Sequence, residues 1–508
     1  MVKRCKWGIL IIATWFLSFN SFPQEMLGIM NSNFTGVLNG LINPANPGNS
    51  AQYINVNILA GDQFISSNYI YIHKKDYGFL KIFKININDP NFLYIYDFPA
   101  TNYKDSVNYF DYFKNSKPRN LYTNTRIVGP SVMVRKGRHT FSFLTEFRSN
   151  TSVVGISPDL ANFLYRGMQF RPQQTNDYSA GPFSFTSLTW AEIGLGYANT
   201  LHKDYDYALT AGISGKFLLG VAGAYGLVKN ISYMIPNIDS IYFYKFNGEI
   251  GMSLPIDIAN NTTAINPLFK GKGVSFDIGV TYMKFNQLAD KNKKMPEWLE
   301  GDKHNYLYKA GISLIDFGFI RFNKMVQVNQ YNNVSNALWK GLRSFNPTNI
   351  QQIFTAASYN LLGDSLASRT SQSQMTIWLP AAISGQFDYN FGNNFYLDAT
   401  IVQGLPVARV QVRRPSLLAV TPRYETRYFE VNMPFSFYDY RDPQIGLAIR
   451  IFNLVIGTEK LGTFLNLTDV NGMDVYFSLG FNLLPSAKSS TAHCDSYENY
   501  QRYQQKKK

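Results

Sequence analysis

The chain has 508 residues and a formal charge of +14, with 16% charged and 16% aromatic residues, among them 34 Tyr and 39 Phe. Charge is well under the quarter or so usual in soluble domains, and after the N-terminus no run of about 18 apolar residues appears, which excludes helical membrane spans. An aromatic-rich, charge-poor chain of this length suits one large β-barrel with aromatic girdles at its rims.

The N-terminus reads as an export signal over 1–23. Lys3, Arg4 and Lys6 form a basic start, Gly8 to Phe19 is mainly apolar, and polar residues follow, so cleavage is expected near residues 19–24. Cys5 precedes the apolar run and leaves with it, whereas a lipoprotein needs its cysteine after that run. Cys494 is then the one mature cysteine, and no intramolecular disulfide is expected. Residues 24–52 follow as a plug-like segment. Asn43, Pro44, Ala45 and Asn46, with Pro47, cannot sit in a strand ladder, because proline lacks a donor. Phe34 to Ile42 is too apolar for a free tail, which favours a hatch inside a barrel over a surface turn leading into the first strand.

Residues 53–485 show period-2 alternation again and again. Val274, Phe276, Ile278, Val280 and Tyr282 oppose Ser275, Asp277, Gly279 and Thr281; Ile193 and Leu195 oppose Glu192, Gly194 and Gly196. Phe395, Leu397 and Ile401 oppose Tyr396, Asp398 and Thr400. Ile445, Leu447, Ile449 and Ile451 oppose Gly446, Ala448 and Arg450, and Val475, Phe477, Leu479 and Phe481 oppose Asp474, Tyr476 and Ser478. One set is apolar throughout and the other is small, polar or charged, as expected where the outside meets lipid and the inside meets water.

Turn chemistry separates the strands at Arg135 to Arg138, Asp204 to Asp206, Asp316 to Gly318, Asn390 to Asn394 and Asp439 to Pro443. Between them lie long segments at 74–121, 150–183, 220–238, 287–305, 325–373, 404–422 and 458–472, read as extracellular loops, with helices over Pro158 to Arg166 and Asn336 to Leu362. The 255–272 connection is longer than a periplasmic turn should be. Counting from strands at 53–61 and 64–73 gives fifteen, the wrong parity for a barrel with both ends in the periplasm. The expected architecture is an all-β, transmembrane antiparallel β-barrel of 14 strands, with 16 as the alternative. Residues 486–508 form a polar, basic periplasmic tail. Setting aside three net charges in the signal and three in the tail leaves eight on the body, read as basic loops.

Several stretches resemble a domain-of-unknown-function family of outer-membrane barrels from Bacteroidota, distantly similar to long-chain fatty-acid transporter-like barrels and type IX secretion shuttle barrels. They are Asn33 to Gly36 with Asn43 to Asn46, Gly215 to Gly220, Gly271 to Tyr282, Tyr308 to Gly318, Arg413 to Glu425, and Gly446 to Gly457. The resemblance spans nearly the whole mature chain and implies a barrel in the cell outer membrane. It implies no activity, and transport is analogy at the superfamily level.

Glu192, Asp277, Lys309, Asp398, Arg427 and Arg450 are candidates for a polar lumen lining, either a path or an interior salt-bridge network. Arg409, Arg413, Arg414, Arg423, Glu425, Arg427 and Glu430 crowd one stretch, as a binding surface for anions or as packing. Catalysis finds little support. The histidines (His73, His139, His202, His304, His493) have no zinc-ligand spacing, Gly215-Lys216 lacks the rest of a phosphate loop, and no Gly-x-Ser-x-Gly elbow occurs. No cofactor and no nucleic-acid partner is expected. The expected partners are outer-membrane lipid and either a hydrophobic small-molecule solute or an envelope protein complex. Two readings follow: a channel for hydrophobic or amphipathic solutes gated by the N-terminal segment, or a non-transporting docking barrel in a secretion or assembly complex.

Overall fold

The computed structural model describes residues 26–50, 52–72, 94–95, 109–168, 170–204, 206–258, 260, 262–263, 266–285 and 306–483. The segments expected to be a signal and a tail, both cysteines, most of 74–108 and all of 287–305 lie outside them.

Period-2 alternation closes into one antiparallel barrel of 14 strands. They are β1 (Ile54–Ser67), β2 (Arg119–Val128 and Ser131–Lys136), β3 (His139–Ile156), β4 (Phe183–Lys203), β5 (Tyr207–Asn237), β6 (Ser240–Ser253 and Gly271–Phe285) and β7 (Tyr306–Phe322 and Val326–Trp339). The circuit continues with β8 (Met375–Trp378 and Ala382–Gly392), β9 (Phe395–Gly404), β10 (Leu417–Glu425), β11 (Phe429–Asn432 and Phe435–Tyr438), β12 (Asp442–Ile445 and Leu447–Ile451), β13 (Leu454–Thr458) and β14 (Gly472–Leu483). β1 pairs with β14, Ile54 opposite Leu483, so no edge is left unpaired and both barrel ends lie at one rim, here the proximal rim.

The apolar alternation set faces outward. Leu195, Ile278, Ile312, Ile401, Ile449 and Phe481 are exposed, while Glu192, Asp277, Thr281, Asp398, Arg450 and Asp474 are buried. So much contiguous apolar exterior is untenable in water and is what a bilayer solvates.

The expected strands at 53–61 and 64–73 are one strand through Ser67: Gly61, Asp62 and Gln63 pair without interruption with Ile127, Arg126 and Thr125 of β2, and Ile70–Ile72 is a separate short strand outside the barrel. That removes the surplus member of the count. The segment 220–238 is not a loop but the distal half of β5, which pairs through Gly223 to Asn237 with β6. Asp316 to Gly318 is not a turn. Asp316 sits at φ 54 inside β7, where the pairing with β6 shifts register. The 255–272 connection interrupts β6 partway up the wall, between Ser253 opposite Gly223 and Gly271 opposite Gly220. β6 ends at Phe285 and β7 begins at Tyr306; the loop expected at 287–305 lies outside the described residues. Helix α1 (Leu27–Met30) begins the described chain; α2 (Pro158–Arg166) and α3 (Ile350–Leu362) occur in distal connections, and α4 (Leu461–Phe464) follows β13. Asn336 to Trp339, expected to be helical, instead completes β7.

Candidate functional site: the filled lumen

Residues 26–50 lie inside the ladder and contribute no strand to it. Their apolar residues, Met26, Leu27, Ile29, Met30, Val37, Leu38, Leu41 and Ile42, pack with Phe64, Val128, Met133, Ile315, Val402, Leu417 and Tyr476 of the inner wall. Polar anchors tie the segment to strands all round the barrel. Leu27 N donates to Glu459 Oε1 (2.6 Å), Ser32 Oγ to Glu430 Oε2 (2.8 Å), Ser313 Oγ to the Ile42 carbonyl (2.6 Å), Thr210 Oγ1 to Asn49 Oδ1 (2.9 Å) and Arg135 Nη1 to the Ser50 carbonyl (2.6 Å).

The four residues singled out as a hatch sit on a seat of three glycines. Gly212 of β5, Gly279 of β6 and Gly311 of β7 face inward, Gly212 paired with Gly279 and Gly311 set diagonally from it, opposite Thr281. A Cβ at Gly212 would come within 2.2 Å of the Pro44 carbonyl oxygen and 2.5 Å of Ala45 N; at Gly279 it would meet Asn43 Oδ1 at 2.2 Å. Here glycine is required by close approach of backbone to backbone, not by a turn. Asn43 donates through Nδ2 to Gln386 Oε1 (3.0 Å), the Val280 carbonyl (3.3 Å) and Thr281 Oγ1 (3.4 Å), and its Oδ1 accepts from Ala45 N (3.0 Å). Asn46 Oδ1 accepts from Thr281 Oγ1 (3.1 Å). Between segment and wall remains a cavity of about 30 Å³, lined in part by Asn31, Asn33, Asn46, Lys309 and Asp388. That is room for about one water.

Two charge layers cross the lumen. The first spans β2 to β7. Asp316 accepts both guanidinium nitrogens of Arg148 (2.8 and 2.9 Å) and Lys216 Nζ (3.1 Å), and Arg414 Nη2 approaches it at 3.4 Å. Lys216 also pairs with Asp277 (2.9 Å), and Arg126 with Glu146 (3.3 Å). Arg148 stacks over Trp190, whose Nε1 donates to Glu192 Oε2 (2.8 Å). The left-handed turn of the chain at Asp316 bends its amide onto Asp277 Oδ1 (2.7 Å), so the bulge fixes two carboxylates against three cations. The second layer spans β7 to β12. Arg423 pairs with Asp388 (2.9 Å) and Glu425 (2.7 Å), Lys309 with Asp388 (3.0 Å), and Arg450 with Glu430 (2.7 Å). Buried pairs of this kind are held by good geometry and extra hydrogen bonds, since desolvation offsets most of their attraction.

Of the sequence candidates, Glu192 and Asp277 belong to the first layer. Lys309 and Arg450 belong to the second, with Asp398 beside it, accepting from Thr400 Oγ1 (3.0 Å). Arg427 does not face the lumen. It is exposed in the proximal turn between β10 and β11, over the Tyr428 ring, and only its carbonyl touches the network, through Arg450 Nη1 (3.1 Å). The turn breaks the alternation that placed it inside. Arg148, Lys216, Asp316 and Asp388 were not among the candidates. The parity of each strand gives Arg148 and Lys216, which share a face with Glu146 and Ser214; the bulge hides Asp316.

A second segment crosses the lumen from the distal side. Residues 405–416, between β9 and β10, run beside β8, where Val412 N donates to the Trp378 carbonyl (3.1 Å) and Gln411 Nε2 to the Leu379 carbonyl (3.1 Å), and reach the opposite wall through Arg413 N, which donates to Ser152 Oγ of β3 (2.9 Å). Val412 joins an apolar inner cluster with Leu188, Trp190, Leu218, Phe322, Ile377 and Leu379. Among the described residues no group of three or more His, Cys, Asp or Glu is placed to hold a metal.

No curated protein matches the chain. Among solved structures it is similar to a deletion mutant of the TodX monoaromatic hydrocarbon channel (8% identity, 89% of this chain and 95% of that one, TM-score 0.40). It is also similar to the toluene transporter TbuX of Ralstonia pickettii (10%, 88% and 94%, TM-score 0.37) and to a Pseudomonas aeruginosa FadL homologue (8%, 91% and 99%, TM-score 0.28). Identities and scores this low transfer no solute to this chain. A family model matches residues 44–459, from Pro44 of the inner segment to just past β13, and the chain belongs to that family, the Family of unknown function DUF5723.

Proposed function

We propose that the protein is an outer-membrane conduit for small apolar or amphipathic solutes, held shut at two levels. Residues 26–50 act as a proximal hatch and 405–416 as a distal bar. The observation that carries this reading is that the strand ladder closes through β1 and β14 without either segment. The hatch can therefore leave its place with no strand-to-strand hydrogen bond broken, since its anchors to the wall involve side chains, whereas release of the bar also breaks its backbone bonds to β8, Trp378 N to the Val410 carbonyl and Val412 N to the Trp378 carbonyl (3.1 Å each). Inner apolar clusters at both levels support an apolar cargo over a simple ion. In this reading the proximal rim faces the periplasm and the exposed apolar belt faces lipid.

A second reading, a docking barrel that conducts nothing, is favoured by the paired charges on the inner wall. Proteoliposomes decide between them. Uptake of a fluorescent fatty acid and of a neutral aromatic dye is measured for the intact barrel, for a barrel lacking 30–50, for one with 406–412 replaced by a short Gly-Ser link, and for both changes together. The conduit reading expects the double variant to admit both probes. A double variant that folds, shown by heat-modifiable gel migration, and stays impermeable overturns it.

A further inference from the structure

A groove along the helix between β7 and β8 has the chemistry of a saccharide site. Helix α3 is bolted at both ends. Gln351 N donates to the Ile258 carbonyl (3.0 Å), and after the helix Thr370 N donates to the Val328 carbonyl (3.0 Å), while Gln330 N of β7 donates to the Ser368 carbonyl (2.7 Å). Phe354 and Ser358 are buried beneath it, and Ala357, Leu361 and Leu362 pack against β7 residues Tyr331 and Val334. The opposite side of the helix lines a groove of about 430 Å³ that includes Asn349, Gln351, Gln352, Tyr359 and Asn360. This is within the ordinary range for small-ligand sites.

Three features of the groove converge. None of its lining residues is charged, and over residues 344–374 the only charged side chains are Asp364 and Arg369. A neutral lining gives no advantage to phosphate, carboxylate or cationic ligands. Tyr359 is 61% exposed, an aromatic ring presented to solvent on a fixed helix. Around it, amide groups are half engaged. Asn349 Oδ1 caps Gln352 N (2.8 Å), Gln352 Oε1 accepts from Thr348 N (2.8 Å), and Asn360 Nδ2 donates to the Ala356 carbonyl (2.8 Å). Each of these bonds uses one side of the amide and orients the other. Asn349 Nδ2 and Gln352 Nε2 remain as donors and Asn360 Oδ1 as an acceptor.

We infer that this groove binds a neutral glycan. A pyranose ring stacks its C–H face on the Tyr359 ring, whose negative face attracts it, and its hydroxyls exchange donor and acceptor roles with the oriented amides. Because the amides are already held, little side-chain freedom is lost on binding. The site stands independently of the conduit reading.

The test uses the full-length barrel in detergent micelles over immobilised maltose, cellobiose, lactose and chitobiose, with sialyllactose as a charged comparator. Retention of at least one neutral disaccharide is expected, with affinity falling about tenfold or more in Tyr359→Ala and in Gln352→Ala and largely kept in Tyr359→Phe. Heat-modifiable migration confirms that each variant is folded. A second arm offers the delipidated polysaccharide of the cell's own outer leaflet. Binding to the free disaccharides assigns a soluble saccharide, and binding to the polysaccharide alone assigns a neighbouring glycolipid. No retention of any neutral glycan, preference for sialyllactose, or binding indifferent to Tyr359→Ala overturns the proposal.

Discussion

Replacing Gly212 by valine tests the seat of the hatch without touching any polar group. The new Cβ would lie 2.2 Å from the Pro44 carbonyl oxygen, a contact between two backbones that no side-chain rotation relieves. The wall will not yield, because Gly212 is locked in ladders with Ala198 and Gly279, and valine favours a strand. The hatch must move instead. Leaving the seat costs Asn43 the hydrogen bonds of its amide, at most two at a time from one NH₂ group, or about 2 kcal/mol at roughly 1 kcal/mol each. Residual overpacking for any chain that stays seated is about 1–3 kcal/mol. The hydrogen-bond cost is the same in the unaltered barrel and cancels, so the shift is the overpacking of the seated state alone, about 1–3 kcal/mol, or roughly a five- to hundredfold rise in the unseated population. Hydrogen exchange of the peptide covering 36–50 measures it in micelles, and protection there should fall by about that factor while strand peptides are unchanged. Gly215→Val is the control, since its Cβ would point outward and meet only Phe276, at 3.9 Å. Equal protection of 36–50 in Gly212→Val and in the unaltered barrel would refute the close-approach argument.

Asp316→Ala leaves Arg148, Lys216 and Arg414 facing a buried void. Loss of about 3–5 kcal/mol is expected, read as a lower urea midpoint in liposomes, and an unchanged midpoint would show that the layer contributes nothing net. Leu195→Arg, at a position 66% exposed on the outer face, should cost about 2–4 kcal/mol in a bilayer. A neutral effect would mean that this face does not meet hydrocarbon. Arg427→Ala, in an exposed turn, should stay within about 0.5 kcal/mol by the same urea titration; a larger loss would return it to the network.

Alternation is a local property, so the sequence by itself determined which side of each strand is greasy, and with that the barrel; its strand count read as fifteen, and the even-number rule left 14, which the structure has, or 16. Ile278 and Leu195 outward, Asp277 and Glu192 inward follow from parity within a few residues. Where parity slips, local reading slips too. β1 reads as two strands although it runs unbroken from Ile54 to Ser67, and the bulge at Asp316 reads as a turn. Asn43 to Asn46 stood out because proline cannot join a ladder, but nothing in those residues says that Gly212, Gly279 and Gly311 form their seat. That depends on β5, β6 and β7 being neighbours in one register. The pairing of Arg148 with Asp316, 168 residues apart in sequence, and the reach of Arg413 across to Ser152 exist only once the cylinder closes. Closure brings distant walls within hydrogen-bonding distance, so tertiary structure alone decided which charges meet, and what fills the lumen between them.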